Sequence, residues 1–415
     1  TLVPLLFRAA RAPALLLHVM RLAALEIVAV FGVGLLALRD TLDVRLFALM
    51  AAAYLASAGL NLATGRGLLH ARTLWAVRLV LACAFCVGAL LLPLTLSDPV
   101  PALALAMIAG FVARESGFLD AVQETRRVAG DAGGVAIAAL AALQPLALAG
   151  AIAGAGVLGS WHPGLPFALA AAGATVAVIA ALRAPRPART HQTTTDLPIP
   201  RAARLQCLLS SAHNSISLVK NRVLLPVYVV TAAQTIGLGQ HAFAVLGTAA
   251  GAVAAFALIG SAVRRHLKGT GLHPERMMLA GLTTIHLSLV AWGALGILHQ
   301  TTGADWLLIP VAVAILAQTV ASQAWSVGFF TELSRKVDAA GPPDTAPARL
   351  NACTRFWQTG KNLGAPLGFL AAGVFAERIA AHSATALAAI GLCGLLFAGC
   401  YLLLVRRADD NGRTA

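Results

Sequence analysis

The sequence predicts an all-α polytopic membrane protein with twelve transmembrane helices, arranged as two six-helix bundles. Of its 415 residues, 59% are hydrophobic and 12% charged, too few polar residues for a soluble fold to cover its surface. Apolar runs long enough to cross a bilayer recur along the chain, and positive charge alternates between the loops that join them. Abundant Ala, Leu and Gly favour close-packed helices over a β-barrel.

The predicted spans follow the apolar runs in order. They cover residues 13–38, 46–64, 74–96, 100–125, 132–158, 164–183, 223–240, 242–263, 277–298, 305–331, 356–376 and 383–405. A polar connection rich in Pro and Arg, residues 185–222, divides them six and six and is expected to be a central cytoplasmic linker. The predicted domains are therefore 1–184, 185–222 and 223–415. Residues 216–222 are expected to begin the seventh helix.

Positive charge marks every second loop. The basic positions are Arg8, Arg11, Arg66, Arg72, Arg126, Arg127, residues 183–222, Arg264, Arg265, Arg335, Lys336, Arg406 and Arg407. The loops between them, such as 97–99 and 160–163, contain almost no Lys or Arg. By the positive-inside rule, both termini of this multi-pass chain are cytoplasmic, and we expect it in the plasma membrane, the bacterial inner membrane. The net charge of +14 therefore indicates topology and not a nucleic-acid partner.

Nothing in the sequence predicts an enzyme, a metal site or a cofactor. Cys83 and Cys86 lie one turn apart, but no His accompanies them, so they are interpreted as small core residues. The sequence has no nucleophile elbow, paired metal ligands or phosphate-binding glycine loop. A membrane-embedded enzyme and a lipid flippase are the less favoured alternatives. The expected partners are the lipid bilayer, protons and a small-molecule substrate. The protein is expected to be a monomer.

The two halves of the chain repeat one pattern. Gly117-Phe118 near the end of the fourth span is followed by acids and then by Arg126-Arg127, and Gly328-Phe329 in the tenth is followed by Glu332 and then by Arg335-Lys336. Internal repeats of this kind are typical of transporters that work by alternating access.

Charged residues inside the spans are the candidate coupling site. An ionised side chain at membrane depth costs about 2.5–3.5 kcal/mol, so each one calls for a cavity, a partner or a function. Glu26 has no basic residue three or four positions away, so we expect its partner on another helix, with Arg114 the candidate. Glu115 and Asp120 complete the residues assigned to proton coupling. The alternatives are a purely structural Glu26–Arg114 pair and a gating role for Asp120.

A polar lining in the second half predicts substrate contacts. The assigned residues are Gln234, Gln318, Ser322, Trp325, Arg355 and Lys361. Gln318, Ser322 and Trp325 share one helical stripe, on which the indole offers a stacking surface or serves as core. Arg355 and Lys361 either bind an anionic substrate group or extend towards the headgroups. His286 is expected to be a hydrogen-bonded packing residue and not a proton site.

The architecture resembles the major facilitator superfamily over nearly the whole chain: six plus six spans, a basic central loop and cytoplasmic ends. The segments Gly59 to Arg72 and Gly260 to Arg265 stand where that family has its loop motifs, although both lack the Asp. Gly364-Ala-Pro366-Leu-Gly368 is similar to the family's Gly/Pro helix seam.

The resemblance also implies roles for single residues. Similar drug/proton antiporters have an acid in span one and an Arg in span four, which implies a coupling role for Glu26 and Arg114. Gating is assigned to four residues near the loop motifs and the matching helix starts: Arg66, Arg127, Asp131 and Arg264.

The sequence therefore favours a secondary active transporter. The leading hypothesis is a proton-coupled antiporter that exports a polar or amphipathic small molecule, such as a siderophore-like metabolite or a drug. The alternative is a proton-linked importer of a small anionic or zwitterionic solute, because the residues do not encode the direction.

Overall fold

The computed structural model describes residues 13–65, 68–69, 71–129, 133–183, 199–269, 273–342 and 345–413. Within these ranges the chain is helical and contains no β-strand. The helices are α1 (Pro13–Leu38), α2 (Val44–Gly65), α3 (Ala71–Leu91), α4 (Val100–Ala129), α5 (Gly133–Trp161), α6 (Leu165–Arg183), α7 (Arg201–Val219), α8 (Leu225–Thr235), α9 (Ala242–Gly269), α10 (Pro274–Thr302), α11 (Leu308–Asp338), α12 (Ala346–Val374), α13 (Ala376–Ala381) and α14 (Ser383–Arg413).

A π-helical turn, Lys220–Leu224, joins α7 to α8, so the backbone is helical without a break from Arg201 to Thr235, a segment that we call the seventh rod. With that rod counted once and the short α13 left out, the described chain contains the predicted number of long helices. Nine stretches of the described residues are long and apolar enough to cross a membrane: they lie in α1, α2, α3, α6, the α7–α8 rod, α9, α10, α11 and α14. The fold class predicted from the sequence is confirmed.

The start of the seventh rod differs from the prediction. Its helix begins at Arg201, well before residue 216. Short polar side chains there bond to carbonyls one turn back: the Asn214 amide donates to Ser210 O at 2.8 Å and the Ser211 hydroxyl to Cys207 O at 2.7 Å. Such bonds satisfy the polar side chains inside a helix, whereas the same composition in a sequence indicates a loop.

The contacts divide the chain into two compact units. Unit 1 comprises Thr1–Thr193, Asn221–Leu258 and Pro366–Ala380. Unit 2 comprises Thr194–Lys220, Ile259–Ala365 and Ala381–Ala415. Helix α8 therefore belongs to unit 1 and α7 to unit 2. The predicted domains 1–184, 185–222 and 223–415 stay a prediction about the two bundles.

Glycines let the helices of unit 1 approach closely. A Cβ on Gly156 of α5 would lie 2.7 Å from the Cα of Gly247 in α9, and a Cβ on Gly88 of α3 would lie 2.6 Å from the backbone N of Ala106 in α4. Only a residue without a Cβ fits such a contact between two backbones. Large side chains such as Phe31 and Phe47 fill the core of this unit and are fully buried.

In unit 2, a series of hydrogen bonds joins α7 to α12. Cys207 donates to Cys353 O at 3.5 Å, Ser211 to Trp357 O at 2.7 Å and Ser215 to Lys361 O at 3.0 Å. Because the numbers rise together on both helices, α7 and α12 run parallel. We call this contact the α7–α12 seam. Two glycines make it close: a Cβ on Gly360 would lie 2.8 Å from the Ser211 Oγ, and one on Gly364 2.6 Å from the Ser215 Oγ.

Candidate functional site

The buried carboxylate of Glu26 lies at the centre of a charged cluster in unit 1. Both terminal nitrogens of Arg222 bind it: Nη2 donates to Oε1 at 2.5 Å, and Nη1 donates to Oε2. The Glu26 side chain is 15% exposed and that of Arg222 7%. A two-pronged Arg–carboxylate contact is among the stronger hydrogen-bonded pairs in proteins. Arg222, which sequence reasoning left in the basic linker, is therefore the main partner of Glu26.

The expected contact between Glu26 and Arg114 is also present, but it is longer. Nη1 of Arg114 lies 3.5 Å from Oε1 of Glu26, and its Nε lies 4.0 Å from Oε1 of Glu115. The Glu115 side chain is 3% exposed, whereas that of Arg114 is 31% exposed. Two carboxylates and two guanidinium groups therefore share one buried region of balanced charge, which we call the Glu26 cluster. The structure thus brings together Glu26, Arg114 and Glu115, three of the four residues assigned to proton coupling.

Aromatic rings border the Glu26 cluster. The Arg222 guanidinium lies 5.1 Å from the centroid of the Phe111 ring, a cation–π distance. Tyr54 lies 5.4 Å from Phe111 and is stacked on Phe369 at 5.5 Å. The Tyr54 hydroxyl is buried, and it has no hydrogen-bond partner among the described residues. Because Tyr54 packs on Phe111, the ring that also contacts Arg222, its hydroxyl belongs to the surroundings of the Glu26 cluster.

The π-helical turn at Arg222 has a local cause. Pro226 lies four residues further on and has no N–H, so it cannot donate to the Arg222 carbonyl. Its ring would also collide with that carbonyl in a regular α-helix, and the wider turn at Lys220–Leu224 relieves the conflict. Such turns are frequent at functional sites. In the sequence, the signal was a Pro shortly after Arg222 within an apolar run.

Five of the six residues assigned to substrate binding lie in unit 2, three on α11 and two on α12, and the sixth, Gln234, lies in unit 1. On α11, Trp325 is buried, with its ring 4.9 Å from that of His213 and 5.5 Å from that of Phe329. Gln318 is buried two turns before Trp325, and Ser322 is half-buried. The three therefore line one stripe of α11, as the spacing predicted.

The basic candidates on α12 point to different surroundings. The Lys361 Nζ lies 5.8 Å from the centroid of the Trp357 ring. The Arg355 Nε is buried and has no hydrogen-bond partner among the described residues. Gln234 belongs to unit 1, where it is exposed near the end of α8 and donates to Leu38 O at 3.4 Å. Because Leu38 is the last residue of α1, Gln234 lies several turns from Glu26.

The remaining assigned residues fall outside the described part of the structure. Arg66 and Asp131 are not described, and neither are the side chains of Asp120, Arg127 and Arg264. Their coupling and gating roles stay predictions.

The burial of His286 in unit 2 agrees with the expected packing role, but the expected hydrogen bond is not seen: neither ring nitrogen has a hydrogen-bond partner among the described residues. Its ring lies 5.3 Å from that of His213, at an interplanar angle of 87°. Sequence reasoning missed His213 because it falls in the segment interpreted as a linker. Among the described residues, no group of three or more His, Cys, Asp or Glu side chains is placed to hold a metal ion.

Comparison with known proteins identifies the fold of this chain through solved structures and not through related sequences. No protein-family model and no curated protein sequence matches the chain. Among solved structures, a mutant of the nucleoside transporter NupG is 11% identical, with a TM-score of 0.67 over 97% of this chain and 99% of that one. A POT family transporter in complex with 5-aminolevulinic acid is 10% identical, with a TM-score of 0.63 over 94% and 96%.

A peptide transporter POT in complex with alafosfalin is also 10% identical, with a TM-score of 0.61 over 94% of each chain. These are transporters with the major facilitator fold, so the likeness shows that this chain has that fold. At such low identity, it shows the fold alone.

Proposed function

We propose that this chain is a secondary active transporter, and specifically a proton-coupled antiporter that exports a polar or amphipathic small molecule by alternating access. The observation that carries the proposal is the Glu26 cluster: a largely buried carboxylate inside a membrane span, 15% exposed and held by two guanidinium groups. Buried ion pairs stabilise a fold poorly compared with apolar packing, so a functional reason for the cluster is favoured over a structural one.

The geometry supports a simple coupling step. A proton from solvent adds to a carboxylate oxygen of Glu26 and removes the charge that holds Arg222. The Arg222 contact then weakens, and the nearby Glu115 carboxylate remains as the counterion of the Arg side chains. The buried Tyr54 hydroxyl, which has no hydrogen-bond partner among the described residues, is a candidate donor to the cluster when a guanidinium withdraws. Release of the proton to the other side of the membrane restores the closed cluster.

Substrate contacts are assigned to the polar and aromatic side chains already named. Trp325 offers an indole face, Gln318 and Gln234 offer amides, and Ser322 offers a hydroxyl. Arg355 and Lys361 supply positive charge for an anionic or zwitterionic group. We place the transporter in the bacterial inner membrane as a monomer with cytoplasmic termini, on the alternating loop charge.

A proton-linked importer is the second candidate. The same cluster works in either direction, because protonation and release are reversible steps. The similar POT family structure is in complex with 5-aminolevulinic acid, a zwitterion, which supports a small zwitterionic substrate for this second candidate.

The test uses the full chain in proteoliposomes that contain a pH-sensitive dye. Nucleosides, dipeptides and 5-aminolevulinic acid are added one at a time, and proton movement is recorded with the parent and with Glu26→Gln. We expect at least one compound to drive proton movement in the parent and none to do so in Glu26→Gln.

The matched control is Asp98→Asn, which removes an exposed acid between α3 and α4. It should behave like the parent. Equal proton movement in the parent and in Glu26→Gln contradicts the assignment of Glu26.

A further inference from the structure

A line of buried polar side chains runs along α7 inside unit 2. We call it the α7 stripe: Gln206, Ser210, His213 and Lys220, each no more than 3% exposed. Their spacing of four, three and seven residues puts all four on one face of the helix. This face differs from the one that carries Cys207, Ser211 and Ser215 in the α7–α12 seam.

Several polar atoms of the α7 stripe, and of His286 on α10, have no hydrogen-bond partner among the described residues. Oε1 of Gln206, Oγ of Ser210 and Nδ1 of His213 have no hydrogen bond among the described residues. The same holds for both ring nitrogens of His286, whose ring faces that of His213 at 5.3 Å. An unpaired buried polar group destabilises a fold, and folded proteins pair nearly all such groups with protein or ordered water.

Lys220 closes the stripe two turns beyond His213. No described carboxylate lies within 4.0 Å of its ammonium group. On α11, Glu332 is bound by Arg335 at 2.6 Å and approached by Lys336 at 3.7 Å, and Asp338 is exposed at the end of the helix. On α12, Lys361 lies over an indole ring, and α14 has no charged residue from 383 to 404. His286 and Lys220 act electrostatically on His213, and Lys220 acts on His286.

We propose that His213, His286 and Lys220 form a proton-binding site in unit 2, additional to the Glu26 cluster, reached through ordered water along Gln206 and Ser210. A hydronium ion transfers its proton to the lone pair of an imidazole nitrogen or of the Lys220 amine and leaves as water. The site holds one proton, because a second positive charge in the same dry region is strongly repelled.

Burial favours a proton over a solute as the ligand. Trp325 packs on the His213 ring at 4.9 Å, and a Cβ on Gly394 of α14 would overlap the His286 ring. The rings are thus enclosed on two sides. A proton needs no cavity, and a single file of water needs only small polar gaps.

The test is nitrogen-15 NMR of the detergent-purified full chain labelled at histidine, without any transport substrate. The signals of His213 and His286 are identified by their loss in His213→Gln and His286→Gln. We expect both signals to change over one common pH range in the parent, because the two rings share one proton. In Lys220→Met, we expect that range to shift for both rings.

Several outcomes overturn the proposal. They are signals that do not respond to pH while the protein is folded, rings that respond independently of each other, and a response unaffected by Lys220→Met. A response to added 5-aminolevulinic acid at fixed pH, without a response to pH, indicates a solute site instead.

Two controls keep this test separate from that of the Glu26 cluster. Glu26→Gln should leave both imidazole signals as they are in the parent, and a change would contradict the independence of the two sites. His241→Gln removes an exposed imidazole of unit 1 and should also leave them unchanged. Because no transport is measured, failure of the Glu26 assignment and failure of this one are distinguishable.

Discussion

Arg222 makes two contacts that hold the Glu26 cluster together. It binds both carboxylate oxygens of Glu26, and its guanidinium lies over the Phe111 ring. The sequence indicated that Glu26 needs a basic partner on another helix, and that reasoning led to Arg114. It could not identify Arg222, because Lys220 and Arg222 follow a polar segment and resemble a basic cytoplasmic loop.

Removing only one member of the Glu26–Arg222 pair should strongly destabilise the protein. We expect Arg222→Met to lower the free energy of unfolding in detergent by about 3–5 kcal/mol, because it leaves the Glu26 charge buried with only the longer Arg114 contact. Arg222→Lys keeps the charge without the two-pronged geometry and should have an intermediate effect.

The double variant Glu26→Gln/Arg222→Met is the matched control for stability. It removes both charges and should recover most of the loss. If Arg222→Met is as stable as the parent, or if the double variant recovers nothing, the pair is not a buried ion pair of this kind.

Trp325 is the large ring that connects His213 to Phe329. We expect Trp325→Ala to lower the free energy of unfolding by about 3–5 kcal/mol, because it opens a cavity among buried rings. Trp325→Phe should lose less. Substrate-driven proton movement by Trp325→Phe then separates the two sequence interpretations: a reduced response supports a stacking surface, and an unchanged one supports core packing.

At the scale of elements, hydropathy located the long apolar helices well, because segments of this length and composition are stable only inside a bilayer. The seventh rod was misjudged because hydrogen bonds within α7 and along the α7–α12 seam satisfy side chains that look like a loop in sequence. The similarity of residues 364–368 to a Gly/Pro helix seam did imply a close helix contact, although not its partner helix. Such partners depend on distant parts of the chain.

The α7–α12 seam should tolerate no added atoms. We expect Gly360→Ala to destabilise the protein by about 1–3 kcal/mol, since the new methyl group would lie 2.8 Å from the Ser211 Oγ. Ser211→Ala in the same chain removes that oxygen and should restore part of the loss. Thermal unfolding of the parent, of Gly360→Ala, of Ser211→Ala and of the double variant measures the coupling between the two positions. Strictly additive effects would contradict a direct contact.

Asp43, the acid that directly precedes helix α2, makes a contribution to stability that depends on pH. The backbone N–H of Arg45 donates to Asp43 at 2.9 Å and its side chain binds the other carboxylate oxygen, and these bonds lower the pKa of Asp43. Because the pKa is lowered on folding, the stabilisation is present above the unfolded pKa and disappears as pH falls through the folded one.

Asp43→Ala should therefore lower the unfolding temperature near neutral pH and have less effect in acid. The difference between parent and variant, followed by thermal unfolding over a pH series, tests this. A difference in unfolding temperature that is constant, or that grows as pH falls, contradicts the stabilising role of the Asp43–Arg45 hydrogen bonds.

For the whole molecule, composition and loop charge were enough to predict the fold class, because a bilayer allows few alternatives. The likeness to NupG and to POT family transporters supports the same architecture over almost the full chain. The side chains that do the proposed work were less predictable. Glu26 stood out through its cost in a membrane, whereas His213 and Lys220 gained meaning only when α7 placed them on one buried face.

The central claim is that Glu26 couples a proton to movement of a small molecule. The most direct measurement compares two modes of transport in proteoliposomes, using a compound that drives proton movement in the parent. The parent should accumulate or expel it against its gradient when a pH gradient is imposed, and should also exchange it when no pH gradient is present. Glu26→Gln should retain the exchange and lose the pH-driven transport, whereas pH-driven transport at the parental level in Glu26→Gln would contradict the claim.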